Sequence, residues 1–407
     1  MRRDADQFID GWWDGGDTRP LVIRGVRGCG KTFSALSLAE RRGIPCTYVD
    51  LGAYGADRAL ADTAGRVASG LRSLTGQPVP DGTLVVIDGV RGPGIGDALL
   101  ELASTHRVIA VSRGLEPFGE GFADLRIRTM SFTEFLDAGG RSDLAAMLRG
   151  GRTGDAESLI PLFAEFQAVG GLPGAVGAWL STGDEREADS AVRKVLADIL
   201  DDACRRDRRV SEETVGNVMS SVPDHLSRAN KKFMFSRASP GDAQRSVRTA
   251  VGMLEGIGAV LRVEMRGDAA PGAFKLFCFD TGALRVLRGA PMSMVTDPDL
   301  GGEFAKGVAE NAVLLELERS GAAGSWCWRS GNKAEAELVV PLGGTDVPIQ
   351  VSSRPSFYPR SLREYSCRDP SAPAVYMSPA PPEVRDGVTR VPLYAACTLR
   401  GMFGPGA

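Results

Sequence analysis

The chain has 407 residues, of which 43% are hydrophobic and 24% are charged, and its formal net charge at pH 7 is -3. These values are typical of a folded protein of two or three domains, and they exclude a disordered or strongly basic chain. Seven scattered cysteines without a C-x-x-C pair and only two histidines argue against a disulfide framework, a zinc site and a histidine-dependent hydrolase.

The N-terminus is rich in charge and lacks the apolar stretch that a secretory signal requires. No apolar run in the chain approaches the ~18 residues that predict a membrane span. We therefore expect a cytoplasmic protein without a membrane partner.

Four short apolar runs between residues 20 and 129 alternate with helical stretches and predict a parallel sheet. The runs are Leu21 to Arg24, Cys46 to Asp50, Leu84 to Asp88 and Arg107 to Ser112. Apolar residues recur at helical spacing from Asp57 to Leu74 and from Gly96 to Ser104. The pattern predicts an α/β nucleotide-binding domain over residues 1–130.

A phosphate-binding motif follows the first of these runs. Residues 25–32 read GVRGCGKT, which fits G-x-x-x-x-G-K-[ST] between a strand and an amphipathic helix. Lys31 would bridge the β- and γ-phosphates, and Thr32 would ligate Mg²⁺. The loop residues whose backbone would wrap the phosphates are Gly25, Gly28, Cys29 and Gly30.

The ends of the next strands carry the other candidate catalytic groups. Asp88 ends the third run, the position at which an acidic residue would hold Mg²⁺ next to the Thr32 hydroxyl. The alternative is that Asp88 is an ordinary aspartate in a turn and has no role in binding the ion. Fast ATPases commonly place a Glu directly afterwards, whereas this chain has Gly89, so another acid orients the attacking water or turnover is slow. Ser112 ends the fourth run as a polar γ-phosphate sensor or as an ordinary strand-end serine.

Residues 131–209 show no strand pattern and predict a helical lid or linker. Helical stretches cover Phe132 to Leu136 and Leu159 to Leu180, with a break at Gly170 to Pro173. Residues 210–290 place helices before two strand-like runs, Ala259 to Val263 and Phe274 to Phe279, which is the order of a winged helix.

The winged-helix region contains a basic patch, although lysine is rare in this chain. Six basic residues lie within 21 positions against the single acid Asp242: Arg228, Lys231, Lys232, Arg237, Arg245 and Arg248. Such a patch can neutralise the phosphates of DNA. A solvated helix face, or contacts with the nucleotide or with acids of the ATPase domain, are the alternatives.

The remaining residues, 291–407, predict a separate α/β domain. A helix over Phe304 to Glu318 precedes a Pro-rich stretch near Ser378. Three strands are predicted between them, over Ser325 to Arg329, Ala336 to Pro341 and Val347 to Val351.

A series of sequence blocks runs in a fixed order from Trp12 to Tyr394. Besides the phosphate loop with Arg19 to Gly25 before it, the blocks are Ser131 to Leu136, Gly170 to Val176, Asn230 to Phe233, Phe274 to Phe277, Asp280 to Gly282 and Gly307 to Asn311. Their order and spacing resemble the prokaryotic AAA-like ATPases whose C-terminal half is a domain of unknown function with a restriction-endonuclease-like core. The resemblance implies a P-loop fold that binds ATP with Mg²⁺. Asp88-Gly89 also resembles the Asp-Gly pair at the magnesium-binding strand end of some signal-transducing ATPases with numerous domains, which act as slow nucleotide switches.

The resemblance also implies a nuclease-like site in the C-terminal domain. Glu310 falls on the helix acid of the family pattern, and Glu335 and Glu337 fall on its paired strand acids. The next strand should read Glu-x-Lys, but Gln350 and Ser352 stand at those positions. Because a metal ligand and the cation are both lost, we expect a degenerate site without cleavage, whose three acids repel one another if they are buried together.

The sequence therefore predicts an α/β P-loop NTPase sheet with a helical lid, a winged-helix region and a degenerate restriction-endonuclease-like domain. The expected function is a slow ATPase or nucleotide switch that couples ATP to the C-terminal domains. One alternative is a nucleic-acid-binding protein of a defence or toxin–antitoxin system, in which the nucleotide only stabilises the fold. A second, disfavoured alternative is an ATP-dependent nuclease. The sequence is compatible with a protein partner or with a homo-oligomer. Three arginines are candidates for completing the ATP site of a neighbouring subunit: Arg113, Arg126 and Arg128.

Overall fold

The computed structural model describes residues 1–51, 79–80, 82–206, 209–331 and 334–403. The helix predicted over Asp57 to Leu74 lies outside the described residues. The chain forms two compact units: unit 1 is Met1–Thr129 with Gly256–Gly258, and unit 2 is Met130–Glu255 with Ala259–Ala407. The finer division into four segments stays a prediction.

Unit 1 contains a five-stranded parallel sheet. Its strands are β1 Leu21–Arg24, β2 Cys46–Asp50, β3 Leu84–Val90, β4 Arg107–Ser112 and β5 Ala123–Arg126. They lie in the order β2-β3-β4-β1-β5, and every neighbouring pair is parallel. The four predicted strands are confirmed, while β5 was missed because its four residues, ADLR, lack an apolar run.

Helices pack on this sheet because its inner strands are apolar on both faces, as parallel strands usually are. The helices are α1 Asp4–Asp14, α2 Lys31–Arg42 and α3 Gly96–Ala103, the last preceded by a 3₁₀ turn at Pro93–Ile95. Leu99 and Leu102 of α3 belong to one buried cluster with Val85 and Ile87 of β3. The helix predicted from Gly96 is confirmed.

Unit 2 begins with helices only. These are α4 Phe132–Ala138, α5 Ser142–Arg149, α6 Ala156–Val169, α7 Pro173–Thr182 and α8 Glu185–Arg206. A capping box starts α4, since Glu134 N donates to Ser131 Oγ and Ser131 N donates to Glu134 Oε2. The predicted break between α6 and α7 is confirmed. Within the described ranges no single helix is long and apolar enough to cross a membrane, although the bent pair of α6 and α7 meets both criteria jointly.

The next segment contains helices followed by a hairpin, as predicted. Its elements are α9 Glu212–Leu226, α10 Phe235–Ala238, α11 Gln244–Gly256, β6 Val260–Gly267 and β7 Phe274–Cys278. β6 and β7 are antiparallel, and β6 also pairs in parallel with β8 Trp326–Arg329. The hairpin therefore belongs to a larger sheet, and the winged-helix assignment stays a prediction.

The rest of unit 2 completes that sheet. Its helices are α12 Thr281–Arg288, α13 Ser293–Thr296, α14 Pro298–Arg319, α15 Arg360–Arg368 and α16 Leu399–Phe403. Its further strands are β9 Glu335–Leu342, β10 Thr345–Val351, β11 Ala374–Ser378, β12 Glu383–Arg385 and β13 Val388–Pro392. The eight strands lie in the order β12-β13-β11-β10-β9-β8-β6-β7. The prediction missed β11 to β13, because the prolines around β11 and before β12 favoured a loop.

Sequence blocks that are far apart in the chain meet in unit 2. Asp280 accepts hydrogen bonds from Gly171 N at 2.7 Å and from Ala283 N at 3.0 Å. A Cβ atom on Gly282 would lie 2.1 Å from the Val169 carbonyl oxygen, so only glycine permits this approach. The Gly-Gly-Leu-Pro turn is therefore fixed against the start of α12.

Candidate functional site

The phosphate loop connects β1 to α2 at the centre of the unit 1 sheet. Gly28 and Gly30 have φ angles of 76° and 96°, a region that side chains with a Cβ rarely adopt. A Cβ atom on Gly25 would lie 2.1 Å from the Ile127 carbonyl oxygen. The glycines of the motif are thus required by the backbone of the loop itself.

Arg3 supports the loop from outside the motif. Its guanidinium donates to the carbonyl oxygens of Cys29 at 2.8 Å and Arg128 at 2.9 Å, and the residue is only 6% exposed. Cys29 Sγ in turn donates to Ile127 O at 3.4 Å. The loop is therefore held between the N-terminal segment and the chain that follows β5.

Lys31 occupies the first turn of α2, where free backbone N–H groups attract anions. Its ammonium donates to the carbonyl oxygens of Gly25 and Val26, both at 2.8 Å. The side chain thus folds back into the loop, and the positive charge stands where the motif requires it.

Thr32 and Asp88, predicted as the Mg²⁺ pair, are in direct contact. Thr32 Oγ1 donates to Asp88 Oδ2 at 2.6 Å, and the Tyr48 hydroxyl donates to the same oxygen at 3.1 Å. Burial raises the pKa of the Tyr48 hydroxyl, and the negative charge of Asp88 raises it further. Hydroxyl and carboxylate oxygens are the ligands that Mg²⁺ prefers, so this pair fits the ion.

The residue after Asp88 is restricted by the backbone. Gly89 has a φ angle of 85°, and the pairing of β3 with β4 shifts register between Asp88 and Val90. A glutamate at this bulge would be strained. The backbone at position 89 therefore favours glycine over a glutamate.

Ser112 lies at the end of β4, between β1 and β3 in the sheet. The residue is fully buried, and its hydroxyl donates to Gly114 O and accepts from Gly114 N, both at 3.2 Å. A role as γ-phosphate sensor stays a prediction that requires the hydroxyl to leave these bonds.

Among the candidate arginines, Arg126 is exposed, Arg128 is half-buried, and Arg113 lies 3.8 Å from Asp50.

In unit 2 the three acids predicted for the nuclease-like site do gather. Glu310 of α14 is fully buried, Glu337 of β9 is 4% exposed, and Glu335 is half-buried. Three of the chain's seven lysines lie among them: Lys231, Lys275 and Lys306. We call these six residues the lysine–glutamate cluster.

Each carboxylate of the lysine–glutamate cluster has an ammonium partner. Lys231 pairs with Glu310, and Lys275 pairs with Glu335. Lys306 donates to Glu337 at 2.6 Å and lies 3.8 Å from Glu310. The three positive charges balance the three negative ones.

The pKa values within the cluster follow from this pairing. Burial opposes ionisation of Glu310, but the neighbouring ammonium groups outweigh it and lower the pKa of that carboxyl. Burial raises the pKa of Glu337, with Lys306 opposing this shift. After burial, the negative charges of Glu310 and Glu335 also raise the pKa of Glu337, so the expected repulsion is present, but the lysines that offset it were not predicted.

The two neutral positions of the nuclease-like pattern face backbone groups. Gln350 Nε2 donates to Tyr358 O at 3.2 Å, and Ser352 Oγ donates to Arg354 O at 3.0 Å. Across the ranges that the structure describes, no group of three or more His, Cys, Asp or Glu side chains could hold a metal ion.

The predicted basic patch is only partly a surface. Arg228, Arg237, Arg245 and Arg248 are exposed, and Lys232 is half-buried. Lys231 is 3% exposed and bound to Glu310, so its placement on a nucleic-acid surface was wrong. An open pocket of about 540 Å³ includes Lys232, Phe235 and Arg248 in its lining, with the Arg248 guanidinium 5.2 Å from the centre of the Phe235 ring.

A parallel sheet with a glycine-rich phosphate loop between a central strand and the next helix is the arrangement of P-loop NTPases. Unit 1 has this fold. No protein-family model matches the chain, and no curated protein sequence matches it.

Comparison with solved structures gives distant likenesses. The Walker-type ATPase of Pyrococcus abyssi is 13% identical over 71% of this chain and 96% of that one, with a TM-score of 0.43. A signal transduction ATPase with numerous domains and a tetratricopeptide repeat sensor, from Pyrococcus horikoshii, is 13% identical over 77% of this chain and 45% of that one, with a TM-score of 0.29. A DNA replication initiation factor is 12% identical over 63% of this chain and 89% of that one, with a TM-score of 0.25.

Proposed function

We propose that the protein binds ATP with Mg²⁺ at the phosphate loop of unit 1 and hydrolyses it slowly, as a nucleotide switch. The observation that carries this proposal is the 2.6 Å hydrogen bond between Thr32 and Asp88 beside the loop. These two side chains come from α2 and β3, so the phosphate-loop motif and the order of the sheet together bring them into contact.

Each group has a defined task in this proposal. The N–H groups of the loop and the start of α2 bind the β-phosphate, and Lys31 exchanges its carbonyl partners for phosphate oxygens. Thr32 and Asp88 would hold Mg²⁺, which supplies positive charge against the phosphate oxygens. Gly89 leaves no glutamate beside Asp88 to orient water, and slow turnover follows. A slow ATPase keeps its bound state long enough for that state to control unit 2.

Asp88→Asn tests the proposal. We expect ATP affinity in Mg²⁺ to fall on the order of tenfold, about 1.4 kcal/mol, because the carboxylate charge behind the ion is lost. Affinity in EDTA should stay unchanged, as measured by calorimetric titration. Asp97→Asn, an exposed acid on α3, is the control and should bind like the wild type. Equal losses of affinity with and without Mg²⁺ would contradict the role of Asp88.

A second candidate function is nucleic-acid binding by unit 2. Four exposed arginines and a pocket that combines Phe235 with Arg248 favour it, because stacking and phosphate contacts together suit single strands or DNA ends. The bound DNA should remain uncut in Mg²⁺ or Mn²⁺, since the lysine–glutamate cluster is already neutral.

The double variant Arg245→Glu/Arg248→Glu tests this function. We expect weaker DNA binding and a log–log salt slope reduced by about two, roughly one for each lost phosphate contact. Fluorescence anisotropy at several salt concentrations measures both quantities. Arg186→Glu, an exposed arginine on α8, is the control. An unchanged salt slope in the double variant would remove nucleic acid as the partner of this patch.

A further inference from the structure

The bulge at Gly89 leaves unit 1 without an acid directly after Asp88. We propose that Asp50, the last residue of β2, is the acid that orients the attacking water at the γ-phosphate. This inference rests on the proposed binding of ATP in unit 1. The acid that orients the attacking water would then come from β2, because β3 carries no acid after Asp88.

The register of the sheet places Asp50 beside Asp88. β2 and β3 run parallel, and Asp50 is the direct partner of Asp88 at the carboxyl ends of both strands. Paired residues on neighbouring strands project to the same face of a sheet. The carboxylates of Asp50 and Asp88 therefore stand on one face at one edge of the sheet.

Tyr48 identifies that face independently. Residues two apart in a strand share a face, so Tyr48 and Asp50 project to the same side of β2. The Tyr48 hydroxyl reaches the Asp88 oxygen that also bonds Thr32. Asp50 is thus on the side of the sheet where the phosphate loop and α2 lie.

Arg113 supplies the opposite charge at this edge. Its backbone N–H donates to Val90 O at 2.8 Å, and its guanidinium lies 3.8 Å from Asp50 Oδ1. Arg113 follows β4 and therefore reaches past the end of β3 to β2. The side chain of Asp50 is 38% exposed, which leaves it accessible to water and to a ligand.

Other carboxylates in the described strands of unit 1 are less suited to this role. Asp88 is engaged by Thr32 and Tyr48. Asp124 lies on β5, at the opposite edge of the sheet, and both of its oxygens accept hydrogen bonds from Arg24. Among the carboxylates of the described strands of unit 1, Asp50 is the one that combines exposure with a position beside Asp88.

The reaction step is an in-line attack of water on the γ-phosphorus. A new P–O bond forms from the water oxygen, and the bond between the γ-phosphorus and the bridging oxygen breaks, with its electron pair leaving on ADP. Asp50 accepts a hydrogen bond from the attacking water, and the water proton ends on the released phosphate. The Arg113 guanidinium lies 3.8 Å from Asp50 Oδ1, so the carboxylate is shared between the guanidinium and the attacking water, which agrees with slow turnover.

Single-turnover hydrolysis and equilibrium binding separate the role of Asp50 from ATP binding itself. Asp50→Asn should lower the hydrolysis rate by about 10²-fold or more, the usual contribution of a positioned acid or base, while the Kd for Mg-ATP changes less than about threefold. Asp50→Glu should recover part of the rate.

The outcomes are distinct. If the wild type fails to bind Mg-ATP, the proposed function fails and the role of Asp50 fails with it. If the wild type binds and hydrolyses ATP while Asp50→Asn does so at the same rate, Asp50 is not the water-orienting acid, and ATP binding stands. Asp97→Asn is again the control and should keep the wild-type rate.

Discussion

Lys31→Ala is expected to reduce ATP affinity by more than about 100-fold, which corresponds to ~2.7 kcal/mol. The reason is geometric: the Lys31 ammonium is the positive side-chain charge held inside the loop, by the carbonyl oxygens of Gly25 and Val26. Titration calorimetry measures the affinity directly. In the wild type, ATP should also raise the thermal unfolding temperature, and this increase should vanish in the variant.

The fold itself should survive Lys31→Ala at a modest cost. Two hydrogen bonds from a charged donor are lost, yet both acceptors are carbonyl groups that water can reach once the side chain is removed. Lys194→Ala is the matched control, because Lys194 is an exposed lysine in unit 2. Wild-type ATP affinity in Lys31→Ala would end the proposal that this loop is the nucleotide site.

Unit 1 was largely predictable because its signals are local. Four strands appear as apolar runs, and the loop motif carries its own spacing, so neither requires knowledge of distant residues. Arg3 and Tyr48 were not predicted, because their roles depend on contacts with Cys29, Arg128 and Asp88 far along the chain. A charged residue near the N-terminus and a tyrosine in a strand have no distinctive pattern.

The lysine–glutamate cluster shows the opposite case, in which the three glutamates and Lys231 were noticed and their contacts with one another were not. Lys231 was interpreted as a phosphate contact from its basic neighbours, but its partner Glu310 lies 79 residues away. A useful signal was present, since lysine is rare among the basic residues and three of the seven lysines lie in this cluster.

Glu310→Gln is expected to cause the largest loss of stability in unit 2, about 3–5 kcal/mol. Glu310 is fully buried and pairs with Lys231, while Lys275 lies 3.9 Å from its other oxygen. Glutamine keeps the shape of the side chain but leaves three buried or half-buried ammonium groups with only two carboxylates. Chemical denaturation followed by circular dichroism gives the free energy of unfolding.

The matched control is Glu303→Gln, an exposed glutamate on the same helix, which should change stability by less than about 0.5 kcal/mol. The double variant Glu310→Gln/Lys231→Met should regain part of the lost stability, because it removes one ammonium together with its carboxylate and restores neutrality. If the double variant is as unstable as the sum of both single variants, the two residues are not coupled. In that case the cluster is maintained by packing of its aliphatic parts, and its neutral charge balance does not explain why unit 2 tolerates so many buried ionisable groups.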